Sequence, residues 1–218
     1  MEQFGGRTHQ TVSLADQIFE HLENDILSGV FERDEILTEA KLSERMKVSR
    51  SPIRDALKRL SMEHLIELTP RGARVIGILP SDIADIYEIR LRVEGLAVAR
   101  AAEHMSDDDI RLLKETLDLQ EFYTQKREAD LIKNMDSRFH QIIYQHCGSN
   151  TFMDMLEPLH RKIMKYRRVS ISYPSRASES LEEHRAIYEA IAAHDAAKAE
   201  ALTLAHIAHA RDSILSRA

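Results

Sequence analysis

The stretch "TEAKLSERMKVSRSPIRDALKRL", residues 38–60, decides the fold of the N-terminal part of the chain. It predicts a first short helix capped by Thr38, with Leu42 and Met46 on its inward face. A tight turn follows, and Pro52 suits the first turn of a second helix. The apolar stripe of that second helix consists of Ile53, Ala56, Leu57 and Leu60. Two short helices joined in this way are typical of a helix-turn-helix.

The flanking segments extend this pattern into a complete small domain. Ser13 is placed to cap a preceding helix, which ends at Ser28-Gly29. After the helix pair, "LIELTPRGARVIGI" at residues 65–78 has the pattern of two short strands around a Pro-Arg-Gly turn. A hairpin in this position is a wing. We therefore predict a winged helix-turn-helix domain at residues 8–78.

Basic residues are concentrated in the same region, although the whole chain is acidic with a net charge of -6. Residues 41–74 hold nine basic and four acidic side chains, a local charge of about +5. Residues 1–40 hold two basic and nine acidic side chains. Such a local excess is the electrostatic pattern of a surface that binds nucleic acid, whereas taken alone it also fits a solvated mixed surface.

The start of the second helix of the pair carries side chains suited to reading DNA. Arg50 and Arg54 point away from the apolar stripe, and an arginine fork can bond two acceptors of guanine in the major groove. The helix N-terminus and the hydroxyls of Ser49 and Ser51 suit phosphate oxygens. Arg71, at the wing tip, suits the minor groove or the DNA backbone. The alternative is a small helical domain whose exposed arginines serve solubility only.

This segment resembles the winged helix of the GntR transcriptional regulators. The sequence "VSRSPIRDAL", residues 48–57, is close to the family pattern "VSRTPVREAL". The resemblance implies that Arg50 and Arg54 contact operator bases and that Gly72 is the glycine of the wing. Some members also use an arginine at the start of the first helix of the pair, where this chain has Ala40, so its operator preference is expected to differ.

The remaining two-thirds of the chain predict helices only, with no strand alternation from Ser81 onward. Six helices with short connections favour an antiparallel bundle, which we place at residues 80–218. The segment "ISYPSR", residues 171–176, is expected to be a loop between the fourth and fifth of these helices. The predicted fold class is therefore mainly α, with an N-terminal winged helix-turn-helix and a C-terminal all-α bundle.

Composition limits the compartment and the chemistry. The single cysteine, Cys147, excludes a disulfide framework and a multi-cysteine zinc module, and it fits a reducing cytosol. The first residues lack the apolar core of a secretion signal, and no apolar run approaches the roughly 20 residues of a membrane helix. We expect a cytoplasmic protein that has no membrane partner.

Four polar residues occupy inward positions of the predicted bundle. Asp136 and His140 lie four residues apart on one face of the third bundle helix, and a buried carboxylate requires a compensating partner. His184 and His206 lie on the inward faces of the fifth and sixth helices. One carboxylate and three imidazoles from three helices form a natural ligand set for a divalent metal, zinc first and otherwise nickel or manganese. For any single histidine, including His160, the alternative is an ordinary core or surface residue with satisfied hydrogen bonds.

The C-terminal part resembles the FCD domain, the effector-binding half of FadR-like GntR regulators. The resemblance is carried by "YEIRLRVEGLAVARAA", "DSRFHQIIYQHCGSNTFMDML" and "EEHRAIYEAIAAHDAAKAEALTLAHI". It implies a metal held by the aspartate and the three histidines named above, and six helices resemble the shorter VanR-type branch. It also implies a small carboxylate effector beside the metal, reached by Arg90. The alternative for Arg90 is a simple ion pair with Glu94 one turn later.

Three functions are compatible with these patterns. The first is a homodimeric regulator of the repressor type that binds near-palindromic double-stranded DNA under the control of a carboxylate effector. The second is a similar regulator whose metal is purely structural. The third is a metalloenzyme, against which stands the lack of a metalloprotease motif and of a nucleophile with a designated base. The first is the function that we expect, so the chain is not expected to be an enzyme.

Overall fold

The computed structural model describes residues 13–216, apart from the side chains of Pro80, Lys165, Arg168 and Val169. The chain divides into two compact units, between Ile78 and Leu79. The helices of the described residues are α1 (Leu14–Ser28), α2 (Glu39–Met46), α3 (Arg50–Met62), α4 (Pro80–His104), α5 (Asp107–Lys126), α6 (Ala129–Gln145), α7 (Asn150–Ile171), α8 (Pro174–Ala192) and α9 (Ala196–Leu215). The strands are β1 (Ile36–Leu37), β2 (Ile66–Thr69) and β3 (Gly72–Val75). The outer limits of the two predicted domains, residues 8 and 218, lie outside the described residues.

The helices of the first unit begin and end at the residues that the sequence predicts. The hydroxyl of Ser13 accepts the backbone N–H of Asp16, and Asp16 in turn accepts from Ser13, which forms a capping box. Gly29 ends α1 in the left-handed conformation, with φ of 79°. Thr38 caps α2 through the N–H of Lys41. The predicted helix pair is therefore confirmed as α2 and α3.

The wing is a three-stranded antiparallel sheet in the order β1-β3-β2. The sequence predicted β2 and β3 but missed β1, because two residues are too few to show an alternating pattern. Gly72 explains how β3 can approach β1 so closely. It has φ of +136°, and a Cβ at this position would lie 2.7 Å from the carbonyl oxygen of Leu37. Only glycine fits here without moving β1.

Buried apolar side chains from all three helices and the sheet form the core of the first unit. Ile53, Leu60 and Leu65 have no exposed surface, and Ile18 of α1 packs in the same cluster. This is the apolar stripe that the sequence predicted for α3. Its burial leaves the opposite face of α3, which carries the basic side chains, in solvent.

The second unit consists of six helices among the described residues, as predicted. One difference concerns α7, which continues past Pro158 and ends at Ile171. The loop predicted at residues 171–176 is therefore wrong for most of its length, because only Ser172 and Tyr173 lie outside a helix. Pro174 occupies the first turn of α8, where its missing N–H costs nothing.

The interior of the second unit contains an apolar cluster and, next to it, a centre of buried polar side chains. The apolar cluster includes Leu113, Phe139, Ile142 and Ile191, all with no exposed surface. Arginine, carboxylate and imidazole side chains are buried next to it, at positions described below. No helix among the described residues is both long enough and apolar enough to cross a membrane.

Candidate DNA-reading surface and candidate metal centre

The N-terminus of α3 presents the predicted DNA-reading side chains to solvent. Ser49, Arg50, Ser51 and Arg54 are all exposed. Ser49 is the N-cap residue, but its hydroxyl makes no capping bond, so the first N–H groups of α3 have no side-chain acceptor at that position. The helix N-terminus therefore keeps donors available for an anion such as a phosphate.

Arg54 has a carboxylate partner that the sequence analysis missed. Its Nε and Nη2 donate to Oε1 and Oε2 of Glu39 at 2.7 and 2.8 Å. Hydrogen bonding by Arg54 lowers the pKa of Glu39. The pair fixes the direction of the guanidinium at the surface. A base or phosphate must therefore displace Glu39 or bind the N–H groups of Arg54 that Glu39 does not use. No local pattern signals the pair, because its members lie 15 residues apart.

The turn of the wing places Arg71 in solvent at its tip. The hydroxyl of Thr69 accepts the N–H of Arg71 at 3.2 Å and donates to the carbonyl of Gly72 at 2.8 Å. These two bonds hold the turn without using the side chain of Arg71. The predicted positions of Arg71 and Gly72 in the wing therefore agree with the structure.

Three of the four predicted metal ligands come together at the centre of the second unit. His140 of α6, His184 of α8 and His206 of α9 are buried, and one ring nitrogen of each lies within 4.8 Å of the others. The Nε2 atoms of His184 and His206 are 3.4 Å apart. Helices distant in sequence thus bring three imidazoles to one point, as the inward periodicity predicted.

Each of these imidazoles has an oxygen acceptor at Nδ1. The acceptors are Oε1 of Gln120 for His184 at 2.8 Å, Oε2 of Glu183 for His206 at 2.6 Å, and Oε1 of Glu94 for His140 at 3.1 Å. A proton on Nδ1 satisfies each of these oxygens and leaves the lone pair on Nε2. This arrangement, in which an outer oxygen fixes the tautomer of a ligating histidine, is common at metal sites. Helical periodicity could not reveal these bonds, because each acceptor lies on a different helix from the histidine that it bonds.

Burial keeps two of the imidazoles neutral. It lowers the pKa of His206 to about 4, although the hydrogen bond that His206 donates to Glu183 opposes this shift. Burial also lowers the pKa of His184 well below its usual value, and the nearby His206 adds to the effect. The neutral imidazole is the form that ligates a metal ion, so protons do not compete for these lone pairs at neutral pH.

Asp136 lies beside the three histidines but is bonded to an arginine. Its Oδ1 accepts Nη2 of Arg167 at 2.6 Å and Nε at 3.1 Å, and it lies 3.8 Å from Nε2 of His184. Burial raises the pKa of Asp136, but the charge of Arg167, the hydrogen bonds that Arg167 donates and the nearby imidazoles together outweigh it and hold the pKa well below its usual value. The compensating partner of the buried carboxylate is therefore Arg167, a residue that the sequence analysis did not single out.

Arg90 has the arrangement that the sequence analysis kept as its alternative. Its Nε and Nη2 donate to Oε2 and Oε1 of Glu94 at 2.6 and 3.1 Å. Both side chains are buried, and the hydroxyl of Tyr144 also donates to Glu94, at 2.7 Å. Arg90 is thus half of a buried ion pair in the polar centre, next to the predicted metal ligands.

Several buried polar atoms at this centre lack a hydrogen-bond partner among the described residues. They are the hydroxyl of Tyr87, both ring nitrogens of His160, Nη1 of Arg167 and Nε2 of Gln120. The expectation that His160 is a satisfied core residue is wrong, because its ring is buried without a bond, 4.9 Å from the ring of His140. Burying such groups unpaired costs free energy, and a polar ligand offsets that cost when it binds them.

The residues present fit a divalent metal ion. Three buried imidazoles, each with an oxygen facing Nδ1, supply nitrogen donors, and the carboxylate of Asp136, which is bonded to Arg167, lies next to them. Nitrogen and carboxylate ligands in this combination suit zinc, and also nickel or manganese. His140, His184 and His206 are the side chains that would hold the ion.

Comparison with known proteins agrees with both halves of this description. Residues 14–76 match the bacterial regulatory proteins of the gntR family, and residues 85–209 match the FCD domain. The chain is similar to the transcriptional repressor RspR of Escherichia coli, with 26% identity over 205 residues, 94% of this chain and 90% of the relative. It is also similar to the gluconate operon transcriptional repressor of Bacillus licheniformis, with 37% identity over 118 residues, 54% of this chain and 49% of the relative.

Solved structures show the same fold. The structure of McbR/YncC from E. coli superposes with a TM-score of 0.79 at 24% identity, covering 94% of this chain and 98% of that one. A GntR regulator from Rhodococcus superposes with a TM-score of 0.72 at 22% identity. With its winged unit and its helical unit both matched, the chain belongs to the gntR family of bacterial regulatory proteins and is a DNA-binding transcriptional regulator with an FCD domain rather than an enzyme.

Proposed function

We propose that this regulator is a cytoplasmic repressor whose operator affinity is controlled by a small carboxylate bound beside a divalent metal ion. The observation that carries the proposal is the convergence of three histidines whose Nδ1 atoms are already bonded to oxygens. An oxygen at Nδ1 leaves the Nε2 lone pair of each ring available to a metal ion. The unpaired donors around them supply the contacts that an effector would use.

In this proposal the winged unit reads DNA through α3 and the wing. Arg50 and Arg54 bond base edges in the major groove, whereas Ser49 and Ser51 bond phosphates. Arg71 follows Pro70 at the wing tip and contacts the minor groove or the backbone, while Gly72 permits the tight sheet that supports it. The exposure of these side chains and the local excess of positive charge support the assignment.

The active form in this proposal is a homodimer on a near-palindromic operator. One winged helix reads a single half-site, and two-fold symmetric chains match two-fold symmetric DNA. Exposed apolar side chains on α4 and α5 support an interface in the helical unit. They are Ile89, Leu96, Leu119 and Phe122, each between 43% and 51% exposed.

The chemistry of the polar centre supports a carboxylate as the effector. Buried arginine and tyrosine donors next to a cation site favour an anionic oxygen pair. The relative from Bacillus licheniformis is named for a gluconate operon, and gluconate is itself a carboxylate. The effector acts by binding one arrangement of the dimer better than the other, which changes operator affinity.

The test combines metal analysis with a screen of effectors. Elemental analysis and native mass spectrometry of the purified protein identify the ion, any retained acid and the number of chains. An operator is then selected from a pool of random duplexes, and its affinity is measured by fluorescence anisotropy in the presence of a panel of small carboxylates. We expect at least one acid to change operator affinity tenfold or more with metal-loaded protein and to have little effect after chelation.

A second candidate is a regulator whose metal is structural only. The position of the three histidines on α6, α8 and α9 favours it, because one ion would tie three helices together. In that case chelation melts the helical unit, and no carboxylate in the panel changes operator affinity or thermal stability.

A further inference from the structure

We propose that Arg167 and Tyr87 form the subsite that binds the anionic group of the effector, in place of Arg90, and that anion and metal ion bind there cooperatively. The inference rests on the function proposed above and assigns its effector contact to particular atoms. Both residues belong to the helical unit, Tyr87 on α4 and Arg167 on α7.

The donors of Arg90 that face Glu94 are already engaged. Nε and Nη2 lie against the two oxygens of that carboxylate, which also accepts the hydroxyl of Tyr144. The Arg90–Glu94 pair is only 2% and 0% exposed, so its charges neutralise each other inside the protein. An anion that recruited these two donors of Arg90 would have to displace a buried carboxylate, which is costly.

Arg167 is engaged on one edge only. Its Nε and Nη2 donate to Asp136, and Nη2 also donates to the hydroxyl of Ser180 at 2.7 Å. Nη1 is buried and has no partner among the described residues. Asp136 and Ser180 fix the orientation of the guanidinium. Its remaining N–H groups can then donate to an acceptor oxygen of a ligand.

The hydroxyl of Tyr87 is a second unpaired donor in the same neighbourhood. It is buried without a hydrogen bond, and the ring lies 5.3 Å from the guanidinium carbon of Arg90. Burial raises the pKa of Tyr87, while the nearby charges of Arg90 and Arg167 oppose that shift. The hydroxyl therefore stays protonated at neutral pH, so that Tyr87 and Arg167 offer O–H and N–H donors to one carboxylate.

The charges of the centre explain why the two ligands would bind together. Arg90 with Glu94 and Arg167 with Asp136 are two neutral pairs. A divalent cation at the histidines alone would add two buried positive charges, and a carboxylate alone would add one buried negative charge. Each of these is penalised in a buried site, whereas a carboxylate beside the ion reduces the added charge from +2 to +1 and is itself offset by the ion. Coupling is reciprocal, so the acid tightens metal binding by the same factor as the metal tightens acid binding.

Calorimetry with zinc, and with acetate as the anion probe, tests this subsite on the full-length chain. We expect acetate to tighten zinc binding at least tenfold in the unmodified protein. Arg167→Gln should still bind zinc but should abolish the effect of acetate. Tyr87→Phe should weaken the effect at least fivefold without lowering the melting temperature, because the hydroxyl that it removes has no partner.

Tyr144→Phe is the matched control, since it also removes one buried tyrosine hydroxyl. It should leave the effect of acetate intact and should lower the melting temperature, because that hydroxyl is bonded to Glu94. Zinc binding that is unaffected by acetate, or an effect of acetate that Tyr87→Phe retains in full, overturns the subsite but leaves the proposed repressor function standing. A protein that binds no zinc overturns the metal-dependent part of the proposed function, and the cooperative subsite with it.

Discussion

Arg54 and Glu39 form an ion pair with two hydrogen bonds at the surface, near the starts of α3 and α2. Arg54 remains 56% exposed in this pair, so DNA can reach its guanidinium. Arg54→Ala should therefore weaken binding to a selected operator about 10- to 100-fold and flatten the base preference at one position of each half-site. Anisotropy with the operator and with its single-base variants measures both effects. The control is Arg33→Ala, an arginine 51% exposed outside α3, which should change affinity little and preference not at all.

The hydrogen bond between Glu183 and His206 allows the proposed metal centre to be tested without an effector. Its Oε2 accepts Nδ1 of His206, and Arg176 also donates to it. Glu183→Gln keeps an acceptor oxygen but removes the charge that orients the imidazole, so zinc affinity should fall about tenfold or more. A competition assay with a zinc-binding dye measures the change. Glu179→Gln, on a side chain 63% exposed, should leave zinc affinity unaltered, and an equal loss in both variants would contradict the role of Glu183.

Gly72 shows how a single glycine sets the position of a strand. A methyl group at this residue would lie 2.7 Å from the carbonyl oxygen of Leu37 and would also force an unfavourable φ. Gly72→Ala should lower the free energy of opening of the sheet by about 1–3 kcal/mol. Hydrogen exchange of the amides in β1 and β3 measures it. Gly77→Ala is the control, since Gly77 also has a positive φ, of +69°, but nothing lies within 4 Å of its Cβ position, so the loss of stability should be smaller.

Single residues also mark the limit of what the sequence could predict about the site. The inward faces of His140, His184 and His206 follow from helical periodicity, and the structure brings them together. The partner of Asp136 could not be predicted in this way. Arg167 lies 31 residues away, on a helix whose basic run "RKIMKYRR" gives no sign that one of its arginines is buried. Burial of a charge depends on the packing of several helices, which no local pattern records.

At the scale of elements, boundaries with a local chemical cause were predicted well. Ser13, Gly29 and Thr38 begin or end helices where their side chains or backbone conformations require it. The end of α7 was predicted poorly, because Ile171 continues the helix up to a two-residue link. A proline and a tyrosine in "ISYPSR" suggested a longer loop, whereas Pro174 opens the next helix. Proline marks a helix start as readily as a break, and only the neighbouring turn decides between them.

Removal of the proposed metal ion should affect particular helices rather than the whole chain. An ion bound by the three histidines ties α6, α8 and α9 together, so chelation should speed hydrogen exchange in these helices. The helices α1, α2 and α3 of the other unit have no ligand and should keep their protection. Exchange followed by mass spectrometry, with and without a chelator, separates the two sets. Uniform loss of protection across both units would contradict a metal centre confined to the helical unit.

At the scale of the whole molecule, the negative net charge does not indicate that the chain binds DNA, which is also negative. The chain carries -6 overall, but residues 41–74 carry about +5, and this stretch folds into most of α2, all of α3 and the β2–β3 hairpin. Most of the acidic residues lie elsewhere, many of them in the helical unit. A protein built in this way binds DNA through one local surface, and its affinity should depend strongly on salt even though the whole chain is negative.

The proposed homodimer has a geometric consequence that can be measured by altering the DNA alone. Two winged units related by two-fold symmetry reach two half-sites on one face of the duplex only at a set spacing, in a helix of about 10 base pairs per turn. Inserting five base pairs between the half-sites of a selected operator turns one of them by about half a turn. Affinity should then fall toward that of an isolated half-site, by about 100-fold or more, because the second unit no longer adds to the first. Five base pairs added outside both half-sites should leave the affinity unchanged at the same salt concentration. Equal affinity for the two altered duplexes would mean that a single winged unit accounts for binding, and the homodimer would no longer explain how the chain recognises its operator.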